Sequence, residues 1–264
     1  MPSPSPRQRL LETSYGERTT PGVERENYWF RRHEVAYRWV VDMFASDLRS
    51  GTVLDAGSGE GYGADLLSEV APDVLAAELN PVAVAHSSAM YPRITTVRTN
   101  LDAFPLVDGS LAAVVTMQVI EHLWDLPRFL DECLRVLRPG GLLVAATPNR
   151  LTFSPGLGRG EKPTNLFHVE EFDAAQMLGL ATDAGFAAAQ VLGVHHGPRL
   201  SRWQADHGDI VAAHVAAALS GEWPPALLRM IAGVEASDFQ IDDTADDAAL
   251  DLILVAHKPV ADSA

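Results

Sequence analysis

VLDAGSGEGYG, residues 53–63, decides how the rest of the chain is read. A short apolar strand runs directly into glycines at every second position, Gly57, Gly59 and Gly61. A strand that enters a helix through such a loop brings bare backbone against a ligand, because glycine has no Cβ to hold the ligand off. The dinucleotide fingerprint is G-x-G-x-x-G, whose third glycine closes the helix onto the strand. Here the spacing is G-x-G-x-G and that place is held by Tyr62. The loop therefore predicts a ligand site at the end of the first strand and weakens a pyrophosphate reading.

Upstream of the loop, Trp29, Val35, Ala36, Trp39, Val40, Met43 and Phe44 recur at helical spacing and predict a helix over 28–49, ahead of a strand at 52–56. Downstream, a helix over 61–70 and a strand over 73–78 follow. Asn80 and Pro81 then supply an N-cap and a favoured first residue for a helix over 81–90. Strands are expected at 94–99 and 111–117, a helix at 126–137, a turn at Pro139, Gly140 and Gly141, and a strand at 142–147. Asp173 and Gln176 form a capping-box pair, Phe172 and Met177 a hydrophobic staple, and Gly185 a helix stop. Strands at 188–194 and 250–256 complete the pattern, with an acidic stretch at 235–247 inside the connection between them. Such alternation predicts an α/β fold with a doubly wound, seven-stranded, mostly parallel sheet that takes its ligands at the carboxyl ends of its strands. Residues 1–50 read as a disordered, Pro/Ser-rich start and an N-terminal helix. Residues 51–260 read as the main domain, with an insertion at about 197–248.

The composition of the 264-residue chain, 47% hydrophobic, suits one large domain with a well-buried core. Against 35 acidic residues stand 20 basic ones, for a net charge of −15, so a nucleic-acid backbone would be repelled. Cys133 is the single cysteine, which excludes a disulfide framework and a thiolate metal site and fits a reducing cytoplasm. The first residues lack a signal-peptide core, and no run approaches the roughly 18 apolar residues of a membrane span. The expectation is a cytoplasmic protein with no membrane span and no nucleic-acid partner.

Five segments carry a resemblance: VLDAGSGEG, AAELNP, FPLVDGS, QVIEHL and RVLRPGGLLVAATPN, in that order. Together they resemble class I S-adenosylmethionine-dependent methyltransferases, whereas the glycine loop alone could also belong to a nicotinamide enzyme. The resemblance implies a Rossmann-like sheet with an antiparallel last strand, S-adenosylmethionine as cofactor and S-adenosylhomocysteine as product. It places Asp55, Gly57, Gly59 and Gly61 around the methionine part. Glu78 would accept hydrogen bonds from both ribose hydroxyls, a role suited to a carboxylate. Asn100 and Leu101, where relatives often carry an acidic and a small residue, would meet the adenine, and Gln118 would join the cofactor site. The chain departs from the pattern after Ser110, where LAAVV replaces the frequent phenylalanine and aspartate.

Methyl transfer from a sulfonium is an in-line displacement, so alignment about 3 Å from the methyl and exclusion of water carry most of the catalysis. A hydroxyl acceptor also needs a general base, and histidine has the suitable pKa. His122, at the carboxyl end of the fourth strand in QVIEHL, is the first candidate, and Glu121 beside it is an acid that either joins the site or points away. His168, in NLFHVEEF, is the second, because the nearby helix N-terminus would keep its imidazole neutral. Quinone-pathway methyltransferases have E-x-x-E-H where this chain has Gln118, Glu121 and His122, and in that group the acids and histidine can hold a divalent cation. Gln118 removes one anionic ligand here, so a metal site is not favoured.

In this fold the segment before the first strand commonly lids the site. Arg18, Tyr28, Trp29 and Arg32 within GERTTPGVERENYWFRRHEVAYR, with His196 after the sixth strand, are the candidate acceptor contacts. Aromatic rings suit the apolar faces of sugars, and arginines suit hydroxyls or acids. The alternative is that the rings pack onto the sheet and the arginines are solvated. GERTTP, ENYWFRRH, EGYGADL, QVIEHLWD, TPNRLTFSPG, HHGPRL and EWPP resemble actinobacterial sugar O-methyltransferases of polymethylated polysaccharide clusters, the methylglucose and methylmannose types. That resemblance implies a hydroxyl of a gluco- or manno-oligosaccharide as acceptor. His195, His196 and Arg199, with Trp203 and Trp223, would build either an acceptor wall or a homodimer contact. The rival readings are methylation of a phenol, amine or quinone precursor, and a cofactor-binding module without catalysis, against which the intact loop, Glu78, His122 and His168 argue.

Overall fold

The computed structural model describes residues 19–163 and 165–260; the Pro/Ser-rich start, and Arg18 with it, lies outside them. The described chain forms two compact units: the residues up to Val35 with His196–Gln240, and Ala36–His195 with the residues from Ile241 onward.

The larger unit is built on the strands. In chain order the helices and strands are α1 (Asn27–Met43), α2 (Ala45–Arg49), β1 (Thr52–Ala56), α3 (Tyr62–Leu67), β2 (Asp73–Glu78), α4 (Pro81–Met90), β3 (Thr95–Arg98), β4 (Leu111–Met117), α5 (Leu126–Val136), β5 (Leu137–Pro148), α6 (Arg150–Phe153), α7 (Ala174–Asp183), β6 (Ala187–His196), α8 (Pro198–His207), α9 (Ile210–Ser220), α10 (Pro225–Ala232), β7 (Phe239–Asp242) and β8 (Asp251–His257). The strands lie in the order β3-β2-β1-β4-β5-β8-β6-β7. Pairings from β3 across to β5 are parallel, while β8 runs antiparallel to both β5 and β6. The chain order reverses between β1 and β4, and the ends of these two strands carry the glycine loop and the His122 turn.

The sheet has eight strands where the sequence reading expected seven. The added one, β7, is only Phe239–Asp242, with Phe239 buried, Gln240 and Asp242 exposed and Ile241 half-buried. Its alternation spans too few residues to stand out from the acidic stretch around it. The helix expected over 28–49 is two, because the chain leaves helical geometry at Phe44 (φ −115°, ψ 23°). Pro139, Gly140 and Gly141 lie inside β5, where the register against β4 slips between Leu111 and Ala113. The local caps agree with the sequence reading. Asn80 Oδ1 accepts the Val82 and Ala83 amides, Asp173 and Gln176 form the capping box, and Gly185 turns left-handed (φ 93°) after α7.

Every residue of β4 is buried, as expected for a central parallel strand covered on both faces. On α5 the residues at helical spacing, Leu126, Phe129, Leu130, Cys133 and Val136, are buried, and they pack in one apolar cluster with Leu54, Val114, Leu143 and Leu254. Burying a leucine or phenylalanine in this way stabilises by roughly 1.5–3 kcal/mol. Cys133 carries a free, fully buried thiol whose pKa burial pushes well above its ordinary value.

In the smaller unit, Asn27 Nδ2 donates to the carbonyls of Ile231 and Val234 and so closes the C-terminal end of α10. Among the described residues no helix is long and apolar enough to cross a membrane.

Candidate functional site

The glycine loop hangs from its neighbours by backbone. The amides of Gly57 and Ser58 both donate to the Ala77 carbonyl, at 2.8 and 3.0 Å, which ties the loop to the end of β2. Gly57 and Gly61 hold positive φ, 83° and 90°. A Cβ at residue 57 would run into Val119 Cγ2, and one at residue 61 into Ser87 Oγ. Both positions therefore exclude side chains through conformation and through space. Gly59 also has positive φ (52°), and its amide donates to Glu78 Oε2 at 3.0 Å. Glu78 Oε1 accepts the Asn80 amide at 2.7 Å. The carboxylate is thus fixed between the loop and the cap of α4, with a lone pair left on each oxygen, an acceptor pair that matches a vicinal diol.

Asp55 ends β1 beneath this loop and is fully buried. Its Oδ1 receives the Tyr37 hydroxyl at 3.0 Å, and its Oδ2 has no hydrogen-bond partner. Burial pushes its carboxyl up to about 7; the Tyr37 hydrogen bond opposes the shift and the Glu78 charge adds to it. Asn100 follows β3 at the surface, its amide donating to Asp102 Oδ2, while Leu101 is buried in the apolar cluster. Gln118 stands in the left-handed region (φ 58°) at the end of β4, its amide held by the Ala146 carbonyl. A non-glycine residue in that conformation is costly and collects at functional sites.

The candidate acid and base groups come from two segments. Glu121 and His122 lie in the 3₁₀ turn Ile120–His122 that follows β4, and His168 lies on the connection between α6 and α7. The two segments are stitched together, since the amides of Val169 and Glu170 both donate to the Glu121 carbonyl. The histidine rings meet edge to face with centroids 5.1 Å apart. His122 Nδ1 lies 3.1 Å from the Phe167 carbonyl. A carbonyl has no proton to give, so Nδ1 carries the hydrogen and the lone pair of the neutral ring is on Nε2. His168 is held at both nitrogens: Nδ1 meets Glu171 Oε1 at 2.6 Å, and Nε2 accepts from Asn165 Nδ2 at 3.1 Å. The Asn165 amide has this orientation because its Oδ1 takes the Phe167 N–H. Glu121 is buried and receives the Thr147 hydroxyl on Oε2 at 2.8 Å. Burial raises its carboxyl pKa, against the pull of His122 and His168.

Glu121, His122 and His168 each offer one ligand atom, all within 4.8 Å of one another. A carboxylate and two imidazoles form a donor set for a borderline divalent cation. Asn165 and Glu171 were not anticipated from sequence. The available signal was the H-x-x-E spacing of His168 and Glu171 within NLFHVEEF.

The candidate acceptor residues Tyr28, Trp29, Arg32 and His196 belong to the smaller unit. Tyr28 is fully buried, its hydroxyl 2.7 Å from His196 Nε2 and its ring against Phe239. Trp29 donates its indole N–H to His214 Nε2 at 3.0 Å, and the Arg32 guanidinium, itself buried, lies over the indole ring. Burial lowers the His214 pKa to about 4, which keeps the ring neutral as the acceptor. His195 Nε2, in the larger unit, donates to the Thr244 carbonyl.

A methyltransferase-domain family model matches residues 54–145, from β1 into β5. A protein of Mycobacterium tuberculosis named a probable S-adenosylmethionine-dependent methyltransferase is 45% identical over 264 residues, covering 98% of this chain and 94% of the relative. A similarly named protein of Mycolicibacterium smegmatis is 45% identical over 249 residues, 92% of this chain and 94% of its own. A ubiquinone biosynthesis O-methyltransferase of Methylobacterium nodulans is 27% identical over 168 residues, 59% of this chain and 68% of its own. Among solved structures, a SAM-dependent methyltransferase from Thermotoga maritima superposes with a TM-score of 0.59 at 16% identity, covering 87% of this chain and 92% of the other. That likeness speaks to the fold.

Proposed function

The chain belongs to the S-adenosylmethionine-dependent methyltransferases, and we propose that within them it is an O-methyltransferase acting on a sugar hydroxyl, with His122 as the general base. The observation that carries this reading is the bond from His122 Nδ1 to the Phe167 carbonyl, which leaves the basic lone pair on Nε2. A hydroxyl must lose its proton as it attacks, and a positioned neutral imidazole is the group for that work near neutral pH. His168, engaged at both nitrogens, is assigned to hold the His122 ring, and Glu171 to hold His168.

The loop and its surroundings fit the cofactor. Glu78 offers a diol acceptor, the loop offers bare backbone, and buried Asp55 offers a carboxylate toward the ammonium of the amino-acid end. When bound, the cofactor supplies an electrophilic methyl on a sulfonium. Asn100, Leu101 and Gln118 are assigned to the same cofactor site. The sugar acceptor is supported by the resemblance of GERTTP, ENYWFRRH and HHGPRL to the polymethylated-polysaccharide enzymes, a gluco- or manno-oligosaccharide being the expected class.

A second reading, a phenolic or quinone-precursor acceptor with a divalent cation on Glu121, His122 and His168, is supported by the proximity of those three ligand atoms and by the Methylobacterium relative. The two readings compete for one lone pair, because His122 Nε2 cannot both ligate a cation and take a proton. Transfer of a labelled methyl group to short gluco- and manno-oligosaccharides, with phenols and amines alongside and with magnesium or a chelator, separates them. Chelator-insensitive label in a sugar supports the first reading. Label confined to a phenol and lost with chelator replaces it with the second.

A further inference from the structure

Tyr37 lies on α1 behind the glycine loop, almost fully buried, and its ring occupies the space that a Cβ on Gly63 would need. Tyr62 packs edge-on against it, centroids 6.0 Å apart. The Tyr37 hydroxyl donates to Asp55 Oδ1 at 3.0 Å, while Oδ2 lacks a hydrogen-bond partner. A fully buried carboxylate with one side-chain donor and the Ala64 amide as its stabilising neighbours is expensive to keep charged unless its charge serves a ligand.

We propose that Tyr37 is a positioning residue of the cofactor site: its hydroxyl orients Asp55 and favours its anionic form at the base of the glycine loop, where the ammonium of the cofactor's methionine part would bind. The proposal rests on the reading that Asp55 lines that end of the cofactor. The ionisable groups around Asp55 are few. Tyr37 faces it from α1 and Glu78 from β2, with Tyr62 on α3 behind Tyr37. Burial and the Glu78 charge favour protonation of Asp55, to about 7, while the Tyr37 hydroxyl and the Ala64 amide oppose it. Burial and the Asp55 charge push the Tyr37 phenol well above its ordinary pKa, so it remains a donor throughout the working range. Gly63 is the counterpart of this arrangement in the sequence, because a side chain there would displace the ring.

The test is calorimetric binding of S-adenosylmethionine and of 5′-methylthioadenosine, which lacks the methionine ammonium, to the full chain between pH 5.5 and 7.5. In the wild type, affinity for the sulfonium weakens as pH falls and Asp55 takes up a proton, whereas affinity for the thioadenosine stays flat. Tyr37→Phe removes the opposing donor, so Asp55 protonates at higher pH. Sulfonium binding is then weaker by roughly fivefold near pH 7, since raising a pKa of about 7 by one unit takes the ionised fraction from about one half to about one in eleven. The gap closes toward pH 5.5, where both proteins carry a neutral carboxyl. Asp55→Asn, of the same size, serves if the phenylalanine variant does not fold: it weakens the sulfonium at pH 7.5, removes the pH dependence and spares the thioadenosine. An unchanged midpoint in Tyr37→Phe, or equal loss for both ligands at every pH in that variant, overturns the role of Tyr37, and equal loss for both ligands in Asp55→Asn overturns the placement of Asp55 on which that role depends. Wild-type protein whose sulfonium and thioadenosine affinities show the same pH course overturns the placement of Asp55 beside the ammonium, whatever Tyr37 does.

Discussion

After β1 the chain presents a loop of bare backbone, and after β4 and β5 it presents side chains. The glycine loop, residues 57–61, is complete within five consecutive positions and borrows Glu78 from the next strand. The histidine pair is assembled from a turn at 120–122 and a connection 45 residues later, joined by the Glu121 carbonyl and the Phe167 carbonyl. A backbone site is fixed by where side chains are forbidden. A side-chain site is fixed by which hydrogen bonds settle its tautomers. The first is therefore broken by adding one carbon and the second by removing one acceptor or one lone pair.

The largest expected effect lies on the side-chain half. His122→Ala lowers kcat by a hundredfold or more, the usual scale of general-base catalysis, with cofactor affinity kept within about twofold. Full activity in that variant, measured with the acceptor found in the labelling panel, would remove the base assignment. On the backbone half, Gly61→Ala forces both a left-handed alanine and a clash with Ser87. The conformation alone costs about 1–2 kcal/mol, so thermal stability drops and cofactor affinity falls at least tenfold. Adding Ser87→Gly removes the Ser87 clash and leaves the backbone strain and a tight contact with Tyr91 Cδ2, so the double variant regains only part of the loss. Complete recovery would show that space alone dictates this glycine.

A smaller effect sharpens the contrast. Glu171→Gln keeps the shape beside His168 and removes its charge, lowering turnover by about tenfold, with cofactor affinity unchanged. Equal loss in both quantities would move Glu171 from the chemistry to the fold. The smallest effect is a gain. Asp55 has its pKa raised by burial, so between about pH 4 and 7 the folded protein holds a proton that the unfolded chain releases, and stability falls as pH rises through that window. Asp55→Asn escapes that cost. It should unfold about 3 °C above the wild type at pH 8, with the margin vanishing near pH 4, while binding the cofactor less well. A margin constant with pH would mean that Asp55 is not the group responsible.

This division also explains what was legible before the structure. Alternating strands and helices, the Asn80 and Asp173 caps and the glycine loop are local, and each was read from a window of a few residues. The eighth strand was not, because Phe239–Asp242 is too short to show a period. Phe44 looked like one more residue of a helical stripe, and nothing near it in sequence marks the break. Tyr37 passed unnoticed for a related reason. It occupies an apolar helical position, and the partners that give it meaning, Asp55 and Gly63, are 18 and 26 positions away. His122 and His168 were both named from sequence as rival bases, and the groups on which the proposal ranks them, the Phe167 carbonyl and the Asn165 amide, are brought to them by the fold alone.

Cys133, sealed beneath α5, has a further use. It is the single cysteine of the chain, and its thiol has neither the access nor the acidity to react. The wild-type protein is therefore already a blank for thiol-directed labels. One cysteine substituted at exposed Leu166, two positions from His168, would take a fluorophore or spin probe without any native residue being sacrificed first.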